Sequence, residues 1–213
     1  MGKKTLLLQA EAEGALEQAI QALRAGEIVV FPTDTVYGVG CDLWNPEAIE
    51  RLYWAKKRSK ELPIPVLVSA PEHVQQVAHH LPPYFDVLVE SFWPGGLTLI
   101  VRRRPQVPAV LCAGGDTVAV RMPAHPLALR LIEAMGGALA ATSANISGNP
   151  APKSASDALE ELQGRVAIVL DGGDCPGGIA STIVDLVSSP PRLLRHGPLS
   201  ATAIRELLPD LIE

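Results

Sequence analysis

Short apolar segments, each followed at once by polar residues, recur along this chain and limit the folds it can adopt. The first segment, residues 28–31 (IVVF), predicts a buried strand that ends at residues 32–38 (PTDTVYG). For this cluster alone, a turn in which Asp34 and Thr35 bond their own backbone is an adequate explanation. Further polar clusters adjoin predicted strands near residues 121, 143 and 181. The repetition predicts a shared site at the strand ends.

Predicted strands alternate with predicted helices over most of the chain. The strands are residues 27–31, 36–43, 65–68, 97–101, 117–120, 138–141, 166–170 and 182–187. The helices are residues 12–25, 46–56, 71–80, 83–92, 126–135, 154–164 and 200–208. Two strand connections, from 31 to 36 and from 101 to 117, contain no helix. The pattern therefore predicts an α/β fold with a mixed sheet and helices outside it.

Length and composition predict one globular domain spanning residues 1–213. The 213 residues are 47% hydrophobic and 19% charged, which indicates a sizeable core rather than disorder. The net charge of −5 argues against a surface that coats nucleic acid, so any polyanion site must be a local basic patch. Residues 56–60 (KKRSK) and 102–104 (RRR) are the two candidate patches.

Cysteine spacing and hydropathy predict a cytoplasmic protein with no membrane association. Cys41, Cys112 and Cys175 form no CxxC pair and no zinc-binding spacing, so we expect reduced thiols. The apolar run near the start, residues 6–8, is too short for a signal peptide, and no segment approaches the length of a membrane span.

Two short motifs are candidates for chemistry. Lys56-x-Arg58 follows a predicted helix and is either a solvated, charged helix end or a clamp for a triphosphate. Ser143 and Asn145 follow a strand of small residues at an edge where open sheets bind ligands, although a polar turn is equally possible. The glycine-rich residues 172–178 could move as a lid. No P-loop, complete dinucleotide fingerprint, histidine metal motif or nucleophile elbow is present.

Taken together and in order, these motifs resemble the YrdC-like family, the threonylcarbamoyl-AMP synthases of tRNA t6A biosynthesis. The resemblance covers about residues 12–197. Its motifs are residues 31–38 (FPTDTVYG), 56–58 (KKR), 93–98 (WPGGLT), 120–123 (VRMP), 143–148 (SANISG), 181–185 (STIVD) and 194–195 (LR). Departures from the family pattern lie at Lys57, Leu62, Ala151 and His196.

The resemblance implies a fold and a reaction. The fold is a twisted mixed sheet with flanking helices around a large electropositive cavity. It forms a single domain with a core at about 12–197 and a short C-terminal helix within 198–213, as in the short form of the family. The reaction converts L-threonine, bicarbonate and ATP into threonylcarbamoyl-AMP and pyrophosphate. A t6A-transferring enzyme complex would accept the product.

The same resemblance implies roles for individual residues. A tetrad at the nucleotide would be catalytic, with further ATP contacts nearby and a separate set holding threonine. The tetrad is Lys56, Arg58, Ser143 and Asn145; the further ATP contacts are Thr117 and Arg195; the threonine set is Thr33, Thr35, Arg121 and Ser181. Mg²⁺ would bridge the ATP phosphates without a dedicated protein site.

Two other functions remain open from the sequence. A double-stranded RNA or tRNA-binding module could use the same basic cavity, but an aromatic content of 4% disfavours base stacking and predicts only weak RNA binding. A carbamoyltransferase domain of hydrogenase maturation would also carry the family motifs. That reading would require accessory zinc-finger segments, and the chain has no cysteine clusters.

Overall fold

The structure, a computed structural model, describes residues 4–213. Residues 1–3, which belong to the predicted domain 1–213, lie outside the described residues. In chain order the elements are β1 (Leu6–Gln9), α1 (Ala15–Arg24), β2 (Val29–Phe31), β3 (Gly38–Cys41), α2 (Pro46–Ala55), β4 (Val66–Val68), α3 (Tyr84–Phe92), β5 (Leu97–Arg102), β6 (Thr117–Arg121), α4 (Pro126–Ala134), β7 (Ala138–Ser143), α5 (Ala155–Leu162), β8 (Ile168–Asp171), β9 (Thr182–Asp185), β10 (Arg192–Arg195) and α6 (Ala201–Arg205). Two 3-10 helices, Pro71–Gln76 and Ala109–Cys112, complete the set.

All the strands join one mixed sheet in the order β1-β8-β2-β3-β7-β4-β6-β5-β9-β10. Four neighbouring pairs are parallel and five are antiparallel. The two connections predicted to lack an α-helix join the antiparallel pairs β2–β3 and β5–β6. The predicted mixed α/β architecture is confirmed.

Helices cover both faces of the sheet, and each face has its own core. On one face, Leu23 of α1 and Leu131 of α4 pack with Phe31 of β2. On the other, Leu52 of α2 and Leu88 of α3 pack with strand residues of the larger cluster. Each such leucine is fully buried, which stabilises the fold by about 1.5–3 kcal/mol per side chain.

Local signals in the sequence explain where α2 begins and how β3 meets β7. The side chain of Asn45 accepts hydrogen bonds from the backbone N–H groups of Glu47 and Ala48, and Pro46 occupies the first helical turn. At Gly40, an added Cβ would lie 2.8 Å from the carbonyl oxygen of Ala140. Glycine is therefore required there for the close approach of two strands.

Several predicted boundaries were wrong. The predicted helix 71–80 is a short 3-10 helix, and the strand predicted over 138–141 extends to Ser143. Two edge strands were missed, β1 and β10, because three of the four residues in each are exposed and give no alternating pattern. All three cysteines are buried and free. Across residues 4–213, no helix has the length and apolar character needed to cross a membrane.

Candidate active site

A cavity of about 300 Å³ opens on the face of the sheet where the predicted polar clusters meet. Small side chains, Ala119 of β6 and Ala141 of β7, leave space in its wall. Its polar lining includes hydroxyl groups and three guanidinium groups: Thr33, Thr35, Arg58, Thr98, Arg121, Thr142, Ser143, Ser181 and Arg195. Seven of the ten predicted site residues, carried by separate strands and loops, therefore line this cavity.

Arg121 is the most constrained charge in the cavity. Its Nη2 donates to Oδ1 of Asp34 at 2.6 Å, Nη1 donates to Oγ1 of Thr35 at 2.9 Å, and Nε donates to the carbonyl of Gly95 at 2.9 Å. Burial lowers the pKa of the guanidinium, and the neighbouring Asp34 carboxylate partly offsets this effect. Asp34 was absent from the predicted site set, although its place between Thr33 and Thr35 could have indicated it.

The two threonine hydroxyl groups of the turn after β2 have different partners. Oγ1 of Thr33 donates to the carbonyl of Val36 at 2.7 Å and accepts the N–H of Thr35 at 3.1 Å. Oγ1 of Thr35 instead accepts from Arg121. The alternative in which Asp34 and Thr35 bond their own backbone is therefore wrong: both side chains accept from Arg121, and it is Thr33 that bonds the backbone of the turn.

Ser181 links two other parts of the cavity. Its Oγ lies 2.7 Å from Oγ1 of Thr98 and accepts from Nη2 of Arg195 at 3.1 Å. Nε of Arg195 donates to the Ser181 carbonyl at 2.8 Å. Thr98 was missed as a site residue because a lone threonine inside an apolar strand carries no distinct signal. These contacts hold the hydroxyl groups of Thr98 and Ser181 and the guanidinium of Arg195 next to one another in the cavity wall.

Three guanidinium groups give the cavity an excess of positive charge. Arg58 is held beside the cavity by donation to the carbonyls of Leu62 at 3.2 Å and Pro63 at 3.0 Å. Burial lowers the pKa of Arg195, and the charges of Arg121 and Arg58 lower it further. Such mutual repulsion favours an anion between them.

Lys56 lies at the end of α2 as predicted, but its side chain is buried. The expected exposed helix end is wrong, because Lys56 is only 1% exposed and is absent from the cavity lining. Its Nζ donates to the carbonyl oxygens of Ser143 and Asn145, the latter at 2.6 Å. Lys57 adopts a positive φ of 49°, so the chain reverses directly after α2. Burial, and secondly the charge of Arg58, lower the Lys56 pKa to about 7.

Two other predicted nucleotide contacts also lie outside the lining. Asn145 is 6% exposed, and its Nδ2 donates to the carbonyls of Ile146 at 2.9 Å and Asn149 at 2.7 Å. Thr117 shares a face of β6 with Ala119 and Arg121, but lies four residues before Arg121, roughly 13 Å along the strand. Neither side chain lines the described cavity.

The glycine-rich loop lies across the first polar cluster. The hydroxyl of Tyr37 donates to the carbonyl of Gly173 at 2.7 Å and accepts the N–H of Gly172 at 3.2 Å. Gly178 donates its N–H to the carbonyl of Thr35 at 2.7 Å. At Gly177, a Cβ would lie 2.7 Å from the Asp34 carbonyl, so this packing requires glycine. The loop is thereby attached to the wall of the cavity.

Comparison with known proteins decides the family of this chain. The Sua5/YciO/YrdC family model, described as telomere recombination, matches residues 21–197. The chain belongs to the Sua5/YciO/YrdC family. The fold of this Sua5/YciO/YrdC chain also matches the crystal structure of Pyrococcus abyssi Sua5 complexed with L-threonine, with a TM-score of 0.92 and 37% identity, covering 98% of this chain and 62% of that one.

Curated relatives of this Sua5/YciO/YrdC chain differ in length. The threonylcarbamoyl-AMP synthase of Pyrococcus abyssi is 41% identical over 189 residues, which are 89% of this chain and 56% of the relative. A Mycobacterium tuberculosis relative is also 41% identical, over 190 residues, which are 89% of this chain and 87% of the relative. The chain therefore spans little more than half of the Pyrococcus protein.

The second basic run of this Sua5/YciO/YrdC chain, residues 102–104, is used in internal contacts. Arg102 pairs with Asp116, and Nη1 of Arg103 donates to the carbonyl of Val107 at 2.9 Å. Nε of Arg104 donates to the carbonyl of Ala78 at 3.0 Å. Each of the three arginines therefore has a partner within the chain.

Proposed function

We propose that this chain forms threonylcarbamoyl-AMP and pyrophosphate from L-threonine, bicarbonate and ATP, and thus acts as a nucleotidyltransferase. One observation carries the proposal. Three guanidinium groups and a set of hydroxyl groups converge on one cavity, in a family whose Pyrococcus abyssi member was crystallised with L-threonine. The names of the relatives, threonylcarbamoyl-AMP synthase, support the same reaction.

In this proposal Arg121 and the residues that contact it bind threonine. A guanidinium has five N–H donors, and Asp34, Thr35 and Gly95 engage three of them, which leaves two for a carboxylate. Because its orientation is fixed from three sides, Arg121 loses little conformational freedom on binding. Thr33 and Thr35 shape the turn beside it. Ser181 would bind a second polar group of the amino acid.

Other groups that line the same cavity would bind ATP. Arg58, and Arg195 beside Ser181, would contact the phosphates, and Ser143 would contact the nucleotide from the end of β7. Asn145 would act in the loop after β7, Lys56 would act from beneath that loop, and Thr117 would lie further along β6. Preorganised charge of this kind stabilises the charge that develops on transferring phosphoryl groups.

The proposed reaction needs positioning more than it needs a protein nucleophile. The threonine nitrogen takes up CO₂ derived from bicarbonate and releases a proton to form a carbamate. A carbamate oxygen then bonds to the α-phosphorus while the bond from that phosphorus to the bridging oxygen breaks, and pyrophosphate leaves. Arg58 and Arg195 would compensate the charge on the leaving group. The loop around Gly173 would keep water from the product, a labile mixed anhydride.

Mg²⁺ fits this proposal as a partner of ATP rather than of the protein. Within residues 4–213, no group of three or more His, Cys, Asp or Glu side chains could hold a metal ion. The carboxylate of Asp34 is committed to Arg121 and to the N–H of Ala124. We therefore propose that phosphates and water coordinate the ion, which would supply charge neutralisation to the triphosphate.

The chain would act before the step that transfers threonylcarbamoyl to tRNA. Its product would be passed, in the cytoplasm, to the enzymes that attach threonylcarbamoyl to tRNA, and its own contact with RNA would be weak. The aromatic content of 4% supports this weak RNA contact.

Pyrophosphate release tests the proposal. The purified chain is incubated with ATP, L-threonine, bicarbonate and Mg²⁺, and each component is omitted in turn. We expect pyrophosphate and an adenylate of threonylcarbamate only with the complete set, without any RNA. Release that does not depend on threonine, or that requires RNA, contradicts the proposal.

A further inference from the structure

The ammonium group of Lys56 lies under the loop of residues 143–147 and not in the cavity. The residue is 1% exposed. Its Nζ donates to two backbone carbonyl oxygens of that loop, those of Ser143 and Asn145. A lysine ammonium has three donors and no acceptor, so it suits a pocket lined by carbonyl oxygens.

The same loop is attached to the protein at further points. The N–H of Ser147 donates to the backbone carbonyl of Lys56 at 2.9 Å. The carboxylate of Glu161 on α5 accepts the N–H of Ile146 at 2.8 Å and the Nδ2 of Asn149 at 2.9 Å. Lys56 therefore holds the start of the loop, while Glu161 holds its middle and end.

Charges around Lys56 are unbalanced. Burial disfavours the charged form and Arg58 repels it, whereas Glu161 attracts it, so the pKa falls to about 7. Without Nζ of Lys56, the two carbonyl oxygens would lose their shared donor in a buried place, which is unfavourable. In the same loop, Oδ1 of Asn145 and Oγ of Ser147 are buried without a hydrogen-bond partner in the structure. The loop conformation therefore depends in part on Nζ of Lys56, which supplies two of its hydrogen bonds.

We propose that Lys56 is a positioning residue whose terminal N–H donors hold residues 143–147, so that Ser143 faces the cavity. Phosphate contact then falls to Arg58 and Arg195, which line the cavity. This inference deepens the proposed function, and its kinetic part rests on that function.

Chemical rescue gives a direct test. In Lys56→Ala the missing atoms correspond to n-propylammonium, which can enter the vacated space and donate to both carbonyls. Tetramethylammonium carries the same charge but no N–H donor, so it is the matched negative probe. Lys57→Ala is the matched control variant. It removes the same charge from the neighbouring residue, whose side chain is exposed.

Two quantities are measured for each protein. In the ligand-free protein, we expect amide hydrogen exchange of Ile146 and Ser147 to be about tenfold faster in Lys56→Ala and unchanged in Lys57→Ala. We also expect kcat/KM for ATP to fall about 10²-fold in Lys56→Ala alone. Propylammonium should restore both at least partly, and tetramethylammonium should restore neither.

A phosphate-binding role for Lys56 predicts a different pattern. Exchange in the ligand-free protein would then be unchanged in Lys56→Ala, and the loss would be confined to a salt-dependent rise in KM for ATP. That result overturns the inference. If Lys56→Ala does not fold, Lys56→Met keeps most of the aliphatic stem and is measured in the same way. If the wild-type chain does not make the adenylate, the proposed function fails, while the exchange experiment still decides the role of Lys56.

Discussion

Oδ1 of Asp34 accepts a hydrogen bond of 2.6 Å from Nη2 of Arg121, and it also accepts the N–H of Ala124 at 3.0 Å. The Asp34 side chain is 16% exposed and that of Arg121 is 8% exposed, so the pair is largely shielded from water. In a shielded pair, each charge is the main compensation for the other. Asp34 therefore both orients Arg121 and makes its burial tolerable.

Replacement of Asp34 by asparagine tests this relationship. Asp34→Asn keeps an acceptor for Ala124 but removes the counter-charge of Arg121, so we expect the free energy of unfolding to fall by up to about 3 kcal/mol. Because the threonine carboxylate would replace the missing charge, L-threonine should raise Tm more in the variant than in the wild type. Thermal unfolding with and without L-threonine measures both effects.

Asp116→Asn is the matched control for that experiment. Asp116 also pairs with an arginine, Arg102, but its side chain is 76% exposed, so the loss of the pair should change the free energy of unfolding by less than about 1 kcal/mol. An equal or smaller effect of threonine on Asp34→Asn than on wild type would show that Arg121 does not bind the threonine carboxylate.

Most of the strands and the cavity wall could be predicted from the sequence, because local patterns decide them. The segment Val29–Phe31 is apolar and ends at proline, and Ala141 leaves space beside the polar end of β7. The edge strand Leu6–Gln9 could not be predicted in this way. Its residues are mostly exposed, and its pairing with β8 joins segments about 160 residues apart.

Side-chain direction was the main feature of the site that the sequence could not give. Lys56 and Arg58 are two residues apart in one basic run, yet one is buried under a loop and the other lines the cavity. The difference arises at Lys57, whose positive φ turns the chain between them. A lysine with positive φ has no clear sequence signature.

Arg58 is expected to contribute to ATP use rather than to folding. Arg58→Gln removes one preorganised charge from the cavity lining, so kcat/KM for ATP should fall about 10²-fold. Its two hydrogen bonds go to carbonyls of an exposed segment, and their loss should change Tm little. Lys60→Gln is the control, since Lys60 is 63% exposed and pairs with Glu50. Equal activity of Arg58→Gln and wild type would remove Arg58 from the site.

Tyr37 is expected to keep the glycine-rich loop in place. Its hydroxyl bonds both Gly172 and Gly173, and burial raises its pKa to about 12. Tyr37→Phe leaves two backbone groups without this partner, at a cost of about 1–3 kcal/mol locally. We expect faster amide exchange at Gly172 and more threonylcarbamoyl-AMP hydrolysed per turnover. If product hydrolysis is unchanged while exchange is faster, the loop does not protect the anhydride.

The lowered pKa of Lys56 should make the free energy of unfolding depend on pH. Its pKa in the folded protein is about 7, below the ordinary value of 10.5, so between these values the unfolded chain binds a proton that the folded chain does not. Stability therefore rises with pH across this window, and the cost of the buried charge is fully present below about pH 7. Relative to Lys56→Met, the wild-type protein should gain stability from pH 7 to 10. Urea unfolding at several pH values measures this gain. If the free energy of unfolding changes equally with pH in both proteins, the lowered pKa of Lys56 is excluded.

Selection of the amino acid is expected to depend on Ser181 more than on Thr33. The Thr33 hydroxyl is occupied within its own turn, so Thr33→Val should depress all substrates alike by disturbing that turn. The Ser181 hydroxyl lies between Thr98 and Arg195 on the cavity wall and can exchange one partner for a substrate hydroxyl.

Three substrates decide this prediction. Loss of the methyl group, in serine, should cost about 1–3 kcal/mol, whereas valine would bring a methyl group against buried polar groups and should cost more. The expected order of kcat/KM is therefore threonine, then serine, then valine. In Ser181→Ala, the preference for threonine over valine should narrow, because one of those polar groups is gone. Arg121→Ala should lower kcat/KM for all three equally, since it would bind the carboxylate that they share. If valine is a better substrate than serine for the wild-type chain, Ser181 does not recognise the hydroxyl group of threonine.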